Sequence, residues 1–461
     1  MNERFDMTTT NPGLSRRRFL ALSGAAAGGA LAVGCSPASS TNTPAAAGSS
    51  SGSAAKGTVT VMSQSGEFGP KEAKAASQAL GITVKTVEYD LTKLTAMLAS
   101  GNPPDVVRGM GALETPYLVA RQVAENLDPY FAKSTLIKAD DIDPVNDVWR
   151  YDGQKQGAGP RYGFAKDYSQ DCTIWYNGGL FDAAGVTRPS PTAPMLLDEL
   201  LEDGKKLTKR QGAKVSVYGL NPNGLGLFSQ FAWLTDLAGG KLSADDLASV
   251  DFSSPEAQRA LNWYLDYAKA GIGPTVLNPD PNGWDGPTFQ AGRMASTLSG
   301  YWLGGLFSGD PKSAKVAGFA PAPQFDTSRR ISPCFGGTGL WIPRASKNKD
   351  AAFAVLEWFM AGDPAKARAT GGWGIPPLKS LQKLMPQKLP YQKQAYETQM
   401  AEKQYFSVMS FTPYVRQDAI NTVITRELPK AIKGTTTAGQ LADTLNSQIN
   451  AQLADGKKRL R

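Results

Sequence analysis

From residue 58 to residue 107, short β-rich runs alternate with helical stretches. Residues 58–62 and 82–89 have the composition of strands, and residues 105–107 form a third, shorter apolar run. Helical patterns at 70–80 and 91–100 separate these runs. Such alternation favours parallel strands joined by helical crossovers on both faces of a sheet. The sequence therefore predicts an α/β protein.

The N-terminal segment 1–34 has the pattern of an export signal rather than of a folded domain. Arginines at 16–18 precede an apolar run at 19–34 that is too short to span a bilayer comfortably. The pattern resembles a twin-arginine signal joined to a lipobox, with Ala32 where lipoboxes usually have leucine. We expect cleavage before Cys35, acylation of that cysteine and anchoring to the outer face of a membrane. An ordinary signal peptide is the alternative.

Residues 35–57 are almost entirely small or polar, with Ser, Thr, Pro, Ala and Gly predominating. This composition cannot bury enough apolar surface to offset the entropy of ordering, so a disordered tether is predicted. About 400 residues follow, which is too many for one core and suits two domains. They contain no apolar run of about 18 residues, so no membrane span is expected after the signal.

Histidine is absent from the sequence, and its absence excludes several kinds of chemistry. Ser-His-Asp and Cys-His nucleophilic sites cannot form, nor can His-ligated zinc, copper or iron sites. After Cys35 only Cys172 and Cys334 remain, too few for a thiolate metal site. We therefore expect neither a metal nor a cofactor. The net charge of +8 is spread along the chain without an Arg-rich helix, so no nucleic-acid partner is expected.

Four short segments, taken together in chain order, resemble a known protein family. They are 98–107 (LASGNPPDVV), 162–186, 289–295 (FQAGRMA) and 336–343 (GGTGLWIP), the last continuing through 345–352. Together these segments resemble the extracellular solute-binding protein family 1, the sugar-binding components of ABC importers. The resemblance covers nearly the whole chain that would remain after removal of the signal.

The resemblance implies a two-lobed, periplasmic-binding-protein-like α/β fold with a hinge and a central ligand cleft. The lobes would be 58–168 with about 336–405, and about 169–335 with 406–461. Two of the implied crossings between lobes, near 166–172 and 330–337, would bring Cys172 beside Cys334. On that basis a disulfide is expected. Two separate buried thiols are the alternative.

Recognition of a sugar requires aromatic faces against the C–H patches of the ring and polar groups for its hydroxyls. Four tryptophans are predicted as ligand contacts because of their settings among glycines, in a loop, or at the start of a helix behind a glycine-rich loop. Core packing is the alternative for each of them. The four are Trp302 and Trp373 among glycines, Trp284 in a loop and Trp233 at a helix start.

Further ligand contacts are predicted where the first strand ends and on the segments that the resemblance assigns to the cleft. The carboxyl end of a parallel strand is where open α/β sheets bind ligands. The resemblance places a crossing segment and two loops at the same cleft. The predicted residues are Ser63, Gln64 and Glu67 after the first strand, Gln170 and Asp171 on the crossing, and Met110 and Gly337 in the loops.

The function that the resemblance implies is capture of a mono- or oligosaccharide outside the membrane and its delivery to ABC permease subunits by cleft closure. The protein would act as a lipid-anchored monomer in a periplasm or on a Gram-positive surface, without catalysis. Another solute is the first alternative: a polyol, a glycerol phosphate-like compound or a peptide. A secreted glycoside hydrolase, which needs two carboxylates, is the second. No Asp or Glu has a recognisable catalytic setting, and Glu67, Asp280 and Asp285 are equally consistent with loop carboxylates.

Overall fold

The computed structural model describes residues 57–222, 226–334 and 337–460, which lie within one compact unit at 54–461. The predicted signal, Cys35 and all but the last residue of the tether lie outside the described residues.

The first elements follow the predicted alternation of strand and helix. They are β1 (Thr58–Ser63), α1 (Pro70–Leu80), β2 (Thr83–Glu88), α2 (Leu91–Ala99) and β3 (Val106–Met110). β1 pairs in parallel with both β2 and β3, as predicted. Pro70 begins α1, and Gly81 ends it with a left-handed φ of 66° that glycine adopts without strain.

The remaining elements follow in chain order. The segment up to the first crossing contains α3 (Gly111–Ala120), α4 (Asp128–Phe131), a 3₁₀ helix (Pro144–Trp149), β4 (Arg150–Tyr151), β5 (Gln156–Arg161) and β6 (Gly163–Ala165). The middle of the chain contains β7 (Thr173–Asn177), α5 (Gly178–Ala184), α6 (Leu197–Leu207), β8 (Lys209–Gln211), β9 (Lys214–Val217), α7 (Leu227–Leu237), α8 (Pro255–Ala270), α9 (Asp285–Gln290), β10 (Ser296–Ser299), a 3₁₀ helix (Tyr301–Phe307), α10 (Pro311–Val316), β11 (Ala317–Ala320) and β12 (Ser332–Cys334). The last part contains β13 (Thr338–Trp341), α11 (Lys349–Ala361), α12 (Asp363–Gly371), α13 (Lys379–Gln382), α14 (Pro390–Glu402), a 3₁₀ helix (Lys403–Tyr405), β14 (Phe406–Val408), α15 (Gln417–Ile432) and α16 (Ala438–Arg459).

Two larger sheets organise these elements. The first has five strands in the order β2-β1-β3-β13-β6, with β13 antiparallel to both of its neighbours. The second has three strands in the order β10-β7-β11, all antiparallel. The parallel pairing predicted for the N-terminal strands is confirmed, but it does not extend to the second sheet.

Helices pack against each sheet, and the largest apolar cluster includes residues of both sheets. Val59, Val61 and Val106 of the first sheet pack with Phe359 of α11. Around the second sheet, Trp175 of β7 packs with residues of β11, the 3₁₀ helix at 301–307 and α14. No helix in the described part of the chain combines the length and apolar character needed to cross a membrane.

The position of α14 bears on the predicted lobe boundaries. α14 packs against β11 of the three-stranded sheet, and its Tyr391 donates a hydrogen bond to the Gly304 carbonyl at 3.0 Å. This packing favours a third crossing before α14, between about 372 and 389, rather than at 405. The lobe boundaries themselves stay a prediction.

The predicted disulfide is wrong, because Cys172 and Cys334 are both buried and form no disulfide with each other. The two predicted crossing segments are neighbours, as expected, since the Asp171 backbone amide donates to the Pro333 carbonyl at 2.8 Å. Cys172 and Cys334 nevertheless belong to different apolar clusters. Burial raises the pKa of the Cys172 thiol well above its usual value, which keeps it in the unreactive thiol form.

Candidate ligand-binding site

A cavity of about 420 Å³ lies beside the first crossing segment, the end of β10 and the loop that leads into α9. Its volume is within the range of small-molecule sites, commonly about 300–1,000 Å³. Three of the predicted ligand contacts line it: Asp171, Trp284 and Trp302.

The indoles of Trp284 and Trp302 stack on each other at the cavity wall, with ring centroids 6.0 Å apart and planes 27° apart. Two glycines make room for them. A Cβ at Gly300 would lie 2.6 Å from Trp302 Cδ1, and one at Gly286 would lie 2.4 Å from Trp284 Cη2. Both rings remain partly exposed, so an aromatic surface faces the cavity.

Three carboxylates line the same cavity: Asp171, Asp280 and Asp285. Asp285 opens α9, and its Oδ2 accepts a hydrogen bond from Thr297 Oγ1 at 2.6 Å. Burial disfavours the charged form and raises the pKa of Asp285 to about 6, although the Thr297 hydroxyl opposes this shift.

Asp280 is held at only one of its two carboxylate oxygens. Oδ1 accepts from Thr288 Oγ1 at 2.6 Å and from the backbone N–H of Asn282 at 2.8 Å. Oδ2 is buried and has no hydrogen-bond partner. Buried acceptors are normally paired, so leaving this oxygen unpaired costs stability.

The other polar groups of the cavity come from Asn221, Thr275 and Ser299. Asn221 is held beside β10 by its backbone. Its backbone N–H donates to the Ser296 carbonyl at 2.9 Å, and its backbone carbonyl accepts from the Leu298 N–H at 2.8 Å. Among the described residues that line the cavity, none is a lysine or an arginine. Within the described ranges, no cluster of three or more His, Cys, Asp and Glu residues could hold a metal ion.

The predicted residues after β1 do not line this cavity. Gln64 is exposed, and Ser63 is buried with an unpaired hydroxyl. Glu67 is paired with Arg108, with 3.2 Å between Oε2 and Nε, and lies 3.7 Å from Lys166 Nζ. Burial disfavours ionisation of Glu67, but these two cations outweigh it and hold its pKa below the usual value.

Gln170 and Asp171, which are adjacent on the crossing segment, differ in their surroundings. Asp171 lines the cavity. Gln170 is 0% exposed, and neither of its amide atoms has a hydrogen-bond partner. A fully buried side-chain amide without hydrogen bonds is unfavourable, so Gln170 lowers the stability of the fold.

Trp233 does not contact the cavity. It is 0% exposed within the largest apolar cluster, where it packs as part of α7. The prediction of a ligand contact at Trp233 is therefore corrected to core packing. The apolar face of its helix was the signal for that alternative.

Three other predicted residues lie elsewhere. Gly337 has a φ of +62°, and its carbonyl accepts from Trp149 Nε1 at 2.9 Å, which indicates a role in the turn before β13. Met110 lines a smaller pocket with Glu114, Tyr117 and residues of α15. Trp373 is 38% exposed and lies over Gly305, where a Cβ would come 2.6 Å from its Cδ2.

Sequence reasoning missed Thr275 and Ser299 as cavity residues and named Asn221 only as the start of a glycine-rich loop suited to approach a ligand. It considered Asp280 and Asp285 only as carboxylates of an enzyme or of loops. One sequence signal indicated a loop with groups for a ligand, because residues 279–287 (PDPNGWDGP) combine turn formers, two aspartates and a tryptophan. Nothing local indicated that this loop lies beside Trp302.

The family model for bacterial extracellular solute-binding proteins matches residues 66–363. Among the curated proteins no match was found.

Solved structures of similar fold include an ABC substrate-binding protein from Listeria monocytogenes in complex with cycloalternan. It shares 21% identity at a TM-score of 0.71, over 86% of this chain and 99% of that one. A solute-binding protein from Thermotoga lettingae bound with alpha-D-tagatose shares 22% identity at a TM-score of 0.70, over 86% and 99%. One from Agrobacterium radiobacter in complex with ribitol shares 22% identity at a TM-score of 0.66, over 87% and 98%.

These similarities confirm the predicted two-lobed, periplasmic-binding-protein-like α/β fold. The family match spans more than half of the chain and includes all four segments that carried the resemblance in the sequence, together with the whole cavity wall. The protein therefore belongs to the bacterial extracellular solute-binding proteins.

Proposed function

We propose that the protein is the substrate-binding component of an ABC importer and that it binds a carbohydrate in the cavity beside Trp284 and Trp302. The observation that carries this proposal is the pair of partly exposed indoles, stacked 6.0 Å apart, on the wall of a cavity that also carries polar acceptors. Indole faces suit the C–H patches of a sugar ring, and carboxylate or amide oxygens suit its hydroxyls.

The proposed mode of action is closure of two lobes around the ligand. Binding proteins shift their population towards the closed form when the ligand contacts both lobes, and the permease recognises that form. The position of Asp171 supports this mode, because it lies on the first predicted crossing segment and lines the cavity. The partners are the carbohydrate and the permease subunits, and the protein acts as a monomer.

Export is a property of the family, whereas the lipid anchor is proposed from the sequence around Cys35. In this proposal the twin-arginine signal directs export, and acylated Cys35 holds the protein at the outer face of the membrane. Replacing Cys35 by Ala should move the protein from the membrane fraction to the soluble fraction of the exported material. Retention of C35A in the membrane fraction would contradict the anchor.

A polyol is the second candidate ligand, because one structure of the same fold contains ribitol. A glycerol phosphate-like ligand is disfavoured, since a phosphate requires cations and no lysine or arginine is among the described residues that line the cavity. We also propose that the protein does not cleave its ligand. Asp280 and Asp285 lie in one cavity, so this is tested by incubating bound oligosaccharides and looking for shorter products.

The deciding experiment is thermal unfolding of the full chain with mono- and oligosaccharides, polyols, phosphorylated polyols and short peptides. A ligand at 100 times its Kd should add about 2.7 kcal/mol to the free energy of unfolding. A rise in Tm with one group of carbohydrates supports the proposal. A rise only with phosphorylated compounds or peptides would retain the fold and reject carbohydrate as the ligand.

A further inference from the structure

The residue at which the predicted tether joins the fold lies beside a loop that carries basic side chains. Gly57 immediately precedes β1, and Asn348 Nδ2 donates to the Thr58 carbonyl at 3.3 Å. Asn348 ends the loop that follows β13, and that loop contains two exposed cations, Arg344 and Lys347. Because β13 is antiparallel to β3, and β3 is parallel to β1, this loop lies at the end of the sheet where β1 begins.

Hydrogen bonds fix this loop against its neighbours. Ser346 Oγ donates to Asp105 Oδ1 at 2.7 Å, and Arg344 Nη1 donates to Gln122 Oε1 at 3.0 Å, just after α3. Asp105 is buried, and its other oxygen accepts from the Thr60 N–H at 2.9 Å. This aspartate therefore holds the loop in place through neutral donors and leaves the charges of the loop exposed.

The last turn of α16 extends the basic surface. Arg121 Nη2 donates to the Tyr414 carbonyl at 2.6 Å, and a Cβ at Gly456 would lie 2.3 Å from the same oxygen. Lys458 and Arg459 follow Gly456 and are exposed. Burial and, to a smaller extent, the charge of Arg459 lower the pKa of Arg121, which agrees with two cations on one face.

Acidic side chains compensate only part of this charge. Three ion pairs have 2.7 to 2.9 Å between their N and O atoms: Lys349 with Glu125, Lys457 with Asp246, and Arg459 with Asp455. Among the described residues, the other cations form no ion pair with a carboxylate: Arg121, Arg344, Lys347 and Lys458. Asp350, in the first turn of α11, is an exposed acid after the loop. We call Arg121, Arg344, Lys347, Lys458 and Arg459 the tether face.

The length of the predicted tether indicates what this face meets. A flexible chain of the length of residues 35–57 has a root-mean-square span of roughly 25 Å. With Cys35 acylated, as proposed, Gly57 and the tether face stay that close to the bilayer. Anionic headgroups attract Lys and Arg only within about a Debye length, which is about 8 Å at physiological ionic strength. A basic surface at the attachment point of the tether is well placed for such contact.

We propose that the tether face binds the anionic phospholipid headgroups of the membrane that carries the anchor. This inference rests on the proposed lipid anchor and does not depend on which ligand the cavity binds. Membrane-anchored proteins commonly combine a lipid chain with a basic patch. By itself the contact is weak and is lost in salt, so it supplements the anchor and does not replace it.

Sedimentation of the full chain with lipid vesicles tests the inference. Cys35→Ala removes the acylation site, so that binding reports on the protein surface alone. This protein should bind vesicles of equal parts phosphatidylglycerol and phosphatidylcholine about tenfold more tightly than vesicles of phosphatidylcholine. Added salt should reduce that ratio, because screening weakens the attraction between the cations and the headgroups.

In the same background, Arg344→Gln with Lys347→Gln should weaken binding to the anionic vesicles by about fivefold for each charge removed. The matched control is Lys209→Gln with Lys214→Gln, which removes two exposed cations from the β8–β9 hairpin and lowers the net charge equally. The control should retain most of the vesicle binding. Both double variants should keep their affinity for the cognate ligand, because none of the four residues is among those that line the cavity.

Two results would overturn the inference. An equal loss of vesicle binding in both double variants would mean that the net charge, and not the tether face, attracts the protein to lipid. Equal binding to both kinds of vesicle would mean that the headgroup charge has no part in the contact. The proposed function as a carbohydrate receptor would survive either result, because ligand titration measures it separately. Failure of every carbohydrate to bind would reject that function and leave the vesicle result valid.

Discussion

Trp302 combines the two properties expected of a sugar-stacking residue, a partly exposed indole face and a fixed orientation. Gly300 leaves it space on one side, and Trp284 stacks on it at 6.0 Å. Replacing Trp302 by Ala should weaken binding of the cognate carbohydrate by about 1–3 kcal/mol, which is about 5- to 150-fold in Kd. Isothermal titration with the best ligand of the panel measures this loss.

The control for this substitution is Trp358→Ala. Trp358 belongs to α11 and packs against the apolar core of the five-stranded sheet, away from the cavity. This variant should lose stability and keep its affinity for the ligand. A folded Trp302→Ala protein with wild-type affinity would remove Trp302 from the site.

Asp285 should make the protein less stable at neutral pH than a neutral side chain would. Its folded pKa of about 6 exceeds the ordinary value of 3.8, so the folded state binds the proton more tightly than the unfolded state does. Its contribution is therefore fully favourable below about pH 3.8 and is lost as the pH rises through about 6.

Asp285→Asn imitates the protonated carboxyl and keeps an oxygen that can accept from Thr297. At pH 7 it should raise the free energy of unfolding by about 2 kcal/mol, and near pH 4 the gain should nearly vanish. Denaturant unfolding at both pH values tests this, with Asp443→Asn as the exposed control. A gain that is the same at both pH values would argue against a raised pKa.

At the scale of elements, the sequence predicts well what short-range signals determine. The observed bounds of α1 match the prediction, and those of β1, β2 and α2 differ from it by a residue or so at each end. Pro70 and Gly81 fix the ends of α1 locally. The pairing of β7 with β10 and β11 joins residues more than 100 positions apart, and no local pattern carries that information.

The errors at individual positions have the same cause, because a local sequence pattern does not determine long-range contacts. The family resemblance correctly indicated that the segments around Cys172 and Cys334 are neighbours, but adjacency does not specify the direction of a side chain. Trp233 shows the converse, because a glycine-rich loop before a helix does not reveal which helix face is covered. Trp284 and Trp302 were found because large rings among loop residues have no periodic packing to explain them.

The turn between β10 and the 3₁₀ helix at 301–307 is the element on which the position of Trp302 depends. A Cβ at Gly300 would come 2.2 Å from Ser169 Oγ, on the crossing segment, and 2.6 Å from Trp302 Cδ1. Gly300→Ala should therefore displace the indole and weaken ligand binding by about 1–3 kcal/mol, with some loss of Tm.

Gly309→Ala is the matched control for this change. Gly309 follows the same 3₁₀ helix, and nothing lies within 4 Å of a Cβ built there. Ligand titration and thermal unfolding of both variants separate a positional effect from a general effect of losing a glycine. Wild-type affinity in Gly300→Ala would mean that Trp302 adjusts without loss of its contact.

At the scale of the molecule, α3 follows β3 of the five-stranded sheet and contacts residues 413–416, which lead into α15. Residues 413–416 and α15 belong to the predicted second lobe. Glu114 of α3 forms an ion pair with Arg416, the N-cap of α15, with 2.6 Å between Oε1 and Nη2. Arg121 donates to the carbonyls of Pro413 and Tyr414 at 2.7 and 2.6 Å. In the proposed mode of action, these contacts hold the two predicted lobes together and favour the closed form.

Removing the ion pair should therefore shift the population towards an open form and lower the apparent affinity without altering any group in the cavity. Arg416→Gln should raise the apparent Kd about two- to tenfold, since a partly buried ion pair contributes on the order of 1 kcal/mol. Small-angle X-ray scattering should show a larger radius of gyration than for wild type, and saturating ligand should restore the compact value. Asp182→Asn on α5, which breaks the exposed pair with Arg188, should change neither quantity. If Arg416→Gln has wild-type dimensions and affinity, the α3–α15 contact does not control closure, and the equilibrium between open and closed forms must be set at the crossing segments around Asp171 and Pro333.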